Sequence, residues 1–139
     1  GFAPDAPLGS TRTIDFTNVL SNSQVGGDPV TPVFTAKAGE DVRFRVLYPG
    51  GHQRNDTFVV NGHIWEERPY VEGSTKMGSN PACEWTGAVD GHGPSNHFDA
   101  ILKHGAGGKF GVPGDYLYRT FQSAHFGGGQ WGIFRVLPQ

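Results

Sequence analysis

Turn-forming residues recur too often along this chain for long helices to form. Its 139 residues include 22 glycines and 10 prolines, together about twice average usage. No segment of any length carries apolar residues at the helical period of about 3.6. The elements must therefore be short and joined by many turns, which predicts an all-β sandwich or barrel. The length suits a single domain over 1–139, and an apolar content of 36% is enough for one core.

Period-2 alternation locates the strands. "TRTIDFTNVL" (11–20) alternates at Ile14 and Phe16 and runs into the turn cluster "SNSQVGGDP". In "VTPVFTAKAGEDVRFRVLYPGG", Ala38-Gly39-Glu40-Asp41 reads as a turn, and Val42, Phe44 and Val46 share one face opposite Arg43 and Arg45. "TFVVNGHIWEERPY" is β-branched and aromatic and reads as one strand ending before Pro69. Residues 71–100 show no sustained period and predict a long irregular excursion that wraps the body or carries a site. A short strand at Ile101, a glycine-rich turn, the Pro113-Gly114-Asp115 turn, a strand with Tyr116 and Tyr118 on one face, and the final "GQWGIFRVLP" complete about seven strands. Trp65, Trp131, Phe134, Tyr116 and Tyr118 are assigned to the core.

Charge and cysteine usage narrow the function. A net charge of -2 with 17% charged residues gives no electrostatic reason to expect a nucleic-acid partner. Cys83 is the single cysteine, so no internal disulfide forms and the small disulfide-scaffold class is excluded. No apolar run is long enough for a membrane span, and "GFAPDAPLGS" lacks the layout of a signal peptide. Asn55-Asp56-Thr57 forms a glycosylation sequon, a triplet that also arises by chance. No Gly-x-Ser-x-Gly, P-loop or Cys-x-x-Cys motif occurs.

Two stretches carry a family resemblance. "GVPGDYLYRTFQSAHFGGGQWGIFRVLP" resembles the closing hairpin and ligand loop of a cupredoxin domain from the multicopper oxidases, and "GHQRNDTFVVNGHIWEERPY" resembles their earlier ligand strand. The resemblance covers roughly residues 30–70 and 95–137 and implies a cupredoxin-like Greek-key β-sandwich. It also implies that most copper ligands are replaced. On the family's pattern Asp56, Thr120, His125 and Gln130 fall at the type 1 copper corner, with Thr120 at the cysteine and Gln130 at the methionine. Val59, Asn61, Arg119 and Phe121 fall at trinuclear-cluster positions, where a valine, an arginine and a phenylalanine offer copper no donor. His63 matches a family histidine that is not a ligand, which points to packing or hydrogen bonding.

A blue copper centre needs a cysteine thiolate, two imidazoles and a weak axial group. Thr120 supplies no thiolate, and Cys83 lies in the excursion with no reason to reach the closing loop. His125, Asp56 and Gln130 remain as nitrogen and oxygen donors for a non-blue divalent ion, weighed against a histidine simply hydrogen-bonded into its loop. His92 and His97 flank Gly93-Pro94 and could pinch an ion; His52 and His104 read as surface residues. Arg43, Arg45, Arg54 and Arg68 read as the outer face of a sheet with its salt partners.

The leading expectation is a cupredoxin domain of a multicopper-oxidase-like protein, without copper of its own and with no catalytic residue, serving packing or contact with other cupredoxin domains or subunits. One alternative is a domain of an active oxidase whose copper sites lie on partner domains. Another is a non-blue metal-binding module. The resemblance implies an extracytoplasmic location, periplasmic or secreted.

Overall fold

A computed structural model describes residues 28–48, 56–70, 80–121, 125–126 and 129–139. The strand expected at 11–20, His52, Arg54 and the sequon asparagine Asn55 lie outside the described residues. Nine strands are described: β1 (Val33–Lys37), β2 (Arg43–Leu47), β3 (Asp56–Val60), β4 (Trp65–Glu66), β5 (Trp85–Thr86), β6 (Ala88–His92), β7 (His97–Ile101), β8 (Gly114–Arg119) and β9 (Trp131–Leu137). A single 3₁₀ turn, Gly108–Phe110, precedes β8. No helix among the described residues is long and apolar enough to cross a membrane.

Five strands form a mixed sheet in the order β1-β9-β8-β3-β6, with β1 parallel to β9 and the other pairs antiparallel. β2 and β7 pair antiparallel as a second sheet, and β4 and β5 form a small third one. The turn read at 38–41 is present, with Gly39 at φ 82°, a left-handed conformation that glycine adopts without steric cost. Beyond it Phe44 and Val46 of β2 turn inward, while Arg43 and Arg45 face outward and approach Asp99 of β7 at 3.9 Å each. The arginine reading therefore holds for these two.

Phe44 bridges the two sheets. Its ring meets Phe134 edge-on at 5.4 Å, and lies 5.9 Å from both Phe58 and Tyr118. Around it Val60, Trp65, Ala100, Leu102, Phe134 and Val136 are buried, and Tyr116 and Tyr118 pack against them. Trp131 is buried as well, but it alternates to the opposite side of β9 from Phe134 and is covered by Phe126 at 6.1 Å.

Two expectations are corrected. Residues 71–100 are not an irregular excursion throughout, because β5, β6 and most of β7 lie between 85 and 100. Glycines at 87, 91 and 93 cut these strands too short for alternation to show, and their order comes from pairing with distant partners, β6 with β3 and β7 with β2. The segment from 56 to 70 is not one strand either. Asn61-Gly62 turns the chain, with Gly62 at φ 73°, and separates β3 from β4.

Candidate functional site

At one end of the sandwich, β3 begins with a buried carboxylate. Asp56 is 1% exposed, and an ionised group in that position must be surrounded by donors. The local sequence supplies them. Oδ1 accepts the Thr57 backbone N–H at 2.8 Å and the Thr120 hydroxyl. Oδ2 accepts the Gln130 side-chain amide, and His125 Nδ1 stands 3.7 Å from the same oxygen.

The closing hairpin presents these partners. Its ladder continues past β8 with the Thr120 N–H donating to the Gln130 carbonyl at 3.2 Å, which sets the two side chains on neighbouring strands. The Gln130 N–H then donates to the His125 carbonyl at 3.0 Å, and the Gly129 N–H to that of Phe126 at 3.0 Å. Gly129 at φ 97° makes that tight return possible. The backbone thus fixes the approach of His125 to Asp56, while its Nδ1 is buried without a hydrogen-bond partner.

His92, which the sequence paired with His97, belongs instead beside Asp56. The two are opposite one another in the β3–β6 register. The His92 ring sits between Tyr48 at 5.6 Å and Phe98 at 5.3 Å, buried, with its Nδ1 unpartnered. His97 lies on the other sheet and is exposed, so the pair is not arranged as an ion clamp. A strand register could have exposed this link, but the bulge between Asp56 and Phe58 hides it from any count of spacing. A cavity of about 330 Å³ reaches this corner, with Asp56, His92, Thr120 and Gln130 in its wall.

The remaining sequence candidates separate from this cluster. Cys83 accepts the Arg68 N–H at 2.9 Å and donates to the Glu84 carbonyl at 3.3 Å, so its sulfur is engaged beside β5. His104 is exposed on a turn at φ 65°. Arg119 faces Val59 across the β3–β8 pair, and its guanidinium lies over Phe121 at 4.6 Å and Phe126 at 5.3 Å. His63 is 3% exposed. Its Nδ1 donates to the Asn61 carbonyl at 2.9 Å, its Nε2 accepts the Gly107 N–H at 3.0 Å, and its ring packs on Tyr116 and Phe134. That is the packing and hydrogen-bonding role its sequence context implied. Burial holds its pKa below the usual histidine value, against the opposing effect of the Asn61 bond.

Chemically, the Asp56 corner is a set of oxygen and nitrogen groups already bonded to one another. Three of the roughly four lone-pair directions of the carboxylate are filled by protein donors. Among the described residues no sulfur is present at this corner, so these donors do not fit a blue copper ion. Among the described residues no group of three or more His, Cys, Asp or Glu side chains is arranged to hold a metal.

No family model matches the chain, and no curated protein matches it in sequence. Solved structures do resemble it. A multicopper oxidase crystal structure superposes with a TM-score of 0.55 at 18% identity, covering 84% of this chain, which spans 40% of that protein. Two auracyanins were also found: the dithionite-reduced protein of Roseiflexus castenholzii (TM-score 0.45, 16% identity, 76% of this chain and 84% of that one) and auracyanin B (0.42, 15%, 78% and 79%). The fold is a cupredoxin-like β-sandwich, as the resemblance in the sequence implied.

Proposed function

We propose that this chain is a cupredoxin-type domain in which a hydrogen-bonded knot takes the place of a type 1 copper ion, and that it serves packing between domains rather than electron transfer. The observation that carries this reading is the set of three protein donors bonded to the buried Asp56 carboxylate. In a copper site the metal ties the closing loop to the neighbouring strand. Here Thr120, Gln130 and His125 converge on one buried carboxylate and join the same two parts of the fold without an ion. Val59, Arg119 and Phe121, matched to trinuclear positions, pack as apolar and cation–π contacts instead. The role fits a domain of a larger multicopper-oxidase-like protein in an extracytoplasmic compartment, with other cupredoxin domains as partners and any copper carried by them.

The test is addition of copper(II) to the full chain. An unaltered spectrum near about 600 nm supports the reading, and an intense blue band there would defeat it.

A second reading rests on the orphan Nδ1 of His125. His125, Asp56 and Gln130 would bind a non-blue divalent ion once Gln130 released its bond to the carboxylate. Calorimetric titration with zinc and copper(II), repeated on His125→Ala, separates the two. Binding that disappears in the variant favours the metal module, and no binding to the unaltered chain favours the knot.

A further inference from the structure

The closing hairpin carries a second polar spot, on the outer face of the five-stranded sheet. Arg119 and Trp131 stand opposite one another in the β8–β9 register, so their side chains leave the same face, the one away from Phe134. Phe126 packs against both: its ring is 6.1 Å from the Trp131 ring and 5.3 Å from the guanidinium carbon of Arg119. Phe121 lies 4.6 Å from that carbon on its other listed ring contact's strand end, and it is 54% exposed, whereas Trp131 is 8% exposed.

This guanidinium meets different surroundings from those of its neighbours. Arg43 and Arg45 approach Asp99, and Arg135 is bonded to Asp28 and Asp115. Arg119 meets rings, which attract a cation but leave most of its N–H groups without an acceptor. Its Nε is buried with no hydrogen-bond partner, and so is Nε1 of Trp131. Both atoms only donate, and unmet donors in buried positions are costly. A water would accept from one of them and leave the positive charge unanswered. A carboxylate accepts at two oxygens, neutralises the charge, and has the planar shape that the guanidinium fork matches. One guanidinium balances one negative charge, so a monoanionic carboxylate suits the spot better than a sulfate or phosphate dianion.

We propose that this face of the hairpin is a carboxylate-binding site, in which the Arg119 guanidinium edge holds the anion beside the Trp131 indole N–H. Both orphan atoms are covered in this structure, and Phe121, half exposed at the end of the hairpin strand, is the wall that turns aside to admit the ligand. The site lies apart from the Asp56 knot and does not depend on whether that knot replaces a metal.

Two-dimensional ¹⁵N–¹H NMR of the full chain tests this. The Arg119 Nε–H and the indole N–H signals are followed during addition of sodium acetate, of a blocked tripeptide with a central glutamate, and of sodium chloride or sulfate at matched ionic strength. A carboxylate is expected to shift the Arg119 and Trp131 signals saturably, while that of Trp85, exposed beside Lys103, stays in place. Arg119→Lys keeps the charge but not the planar fork, and is expected to weaken the binding at least about 10-fold. Saturation by acetate alone assigns the site to free carboxylates, and tighter saturation by the peptide assigns it to a carboxylate borne on protein. Shifts that saturate with neither, or that chloride or sulfate reproduces equally, would overturn the proposal. An unchanged affinity in the folded lysine variant would overturn it too, and if that variant does not fold the titrations of the unaltered chain decide alone.

Discussion

Asp56 opens β3 and His63 follows the turn at its other end, and each acts through a single buried side chain. Asp56 is buried and holds donors from three other residues, so its removal takes an acceptor away from a hydroxyl and an amide. Asp56→Ala is expected to cost about 3 kcal/mol and Thr120→Val about 1 kcal/mol, read from urea midpoints at constant slope. Equal or higher stability of the alanine variant would show that the knot holds nothing together. His63 makes a pH-dependent prediction. With Nδ1 donating and Nε2 accepting, the ring is neutral, and a second proton would set Nε2–H against the Gly107 N–H. Its folded pKa lies below the unfolded value of about 6.5. Its contribution to stability is therefore complete above that value and is lost as pH falls through and below it. Melting temperature should decline from about pH 7 downward, and His63→Gln should flatten that decline. An equally steep decline in the variant would remove His63 as its source.

Elements were legible in the sequence where local pattern and long-range pairing agree. The alternation of Val42, Phe44 and Val46 against two arginines gave the correct faces of β2, and Tyr116 and Tyr118 gave those of β8. Aligning the closing hairpin with a ligand loop, and residues 51–70 with the family's earlier ligand strand, brought Thr120, His125, Gln130 and Asp56 to one corner, and in the structure these four side chains do lie together. β6 and β7 could not be read, because glycine and proline break their pattern and distant strands supply their order. His92 was missed for a related reason: its neighbour Asp56 is 36 positions earlier in the chain and reached only across a bulged pair. The hairpin also depends on a close approach no pattern announces. Gly132 lies under the Tyr118 ring, whose hydroxyl donates to the Pro32 carbonyl at 2.9 Å, and a Cβ at Gly132 would collide with both. Gly132→Ala is expected to destabilise by about 1–3 kcal/mol. Tyr118→Phe in the same chain should recover only part of this, since the Pro32 carbonyl remains in the way. Full recovery would locate the whole conflict at the hydroxyl.

At the scale of the whole molecule, the chain spans 40% of the multicopper oxidase it resembles, and it shares that protein's fold at 18% identity. Fold and chemistry separate here, because the sandwich sets the corner and four side chains decide what the corner holds. If the scaffold has kept the geometry of a metal pocket, Asp56→His, Thr120→Cys and Gln130→Met together, with His125 left in place, should yield copper-dependent absorption near about 600 nm. A triple variant that folds and stays colourless with copper would show that the backbone has moved away from that geometry. The most direct measurement is the metal content of the unaltered full chain, by elemental analysis of protein prepared without chelator. A knot closed by Asp56, Thr120 and Gln130 predicts copper far below one atom per chain. One copper per chain, with a blue colour that bleaches on reduction, would contradict it.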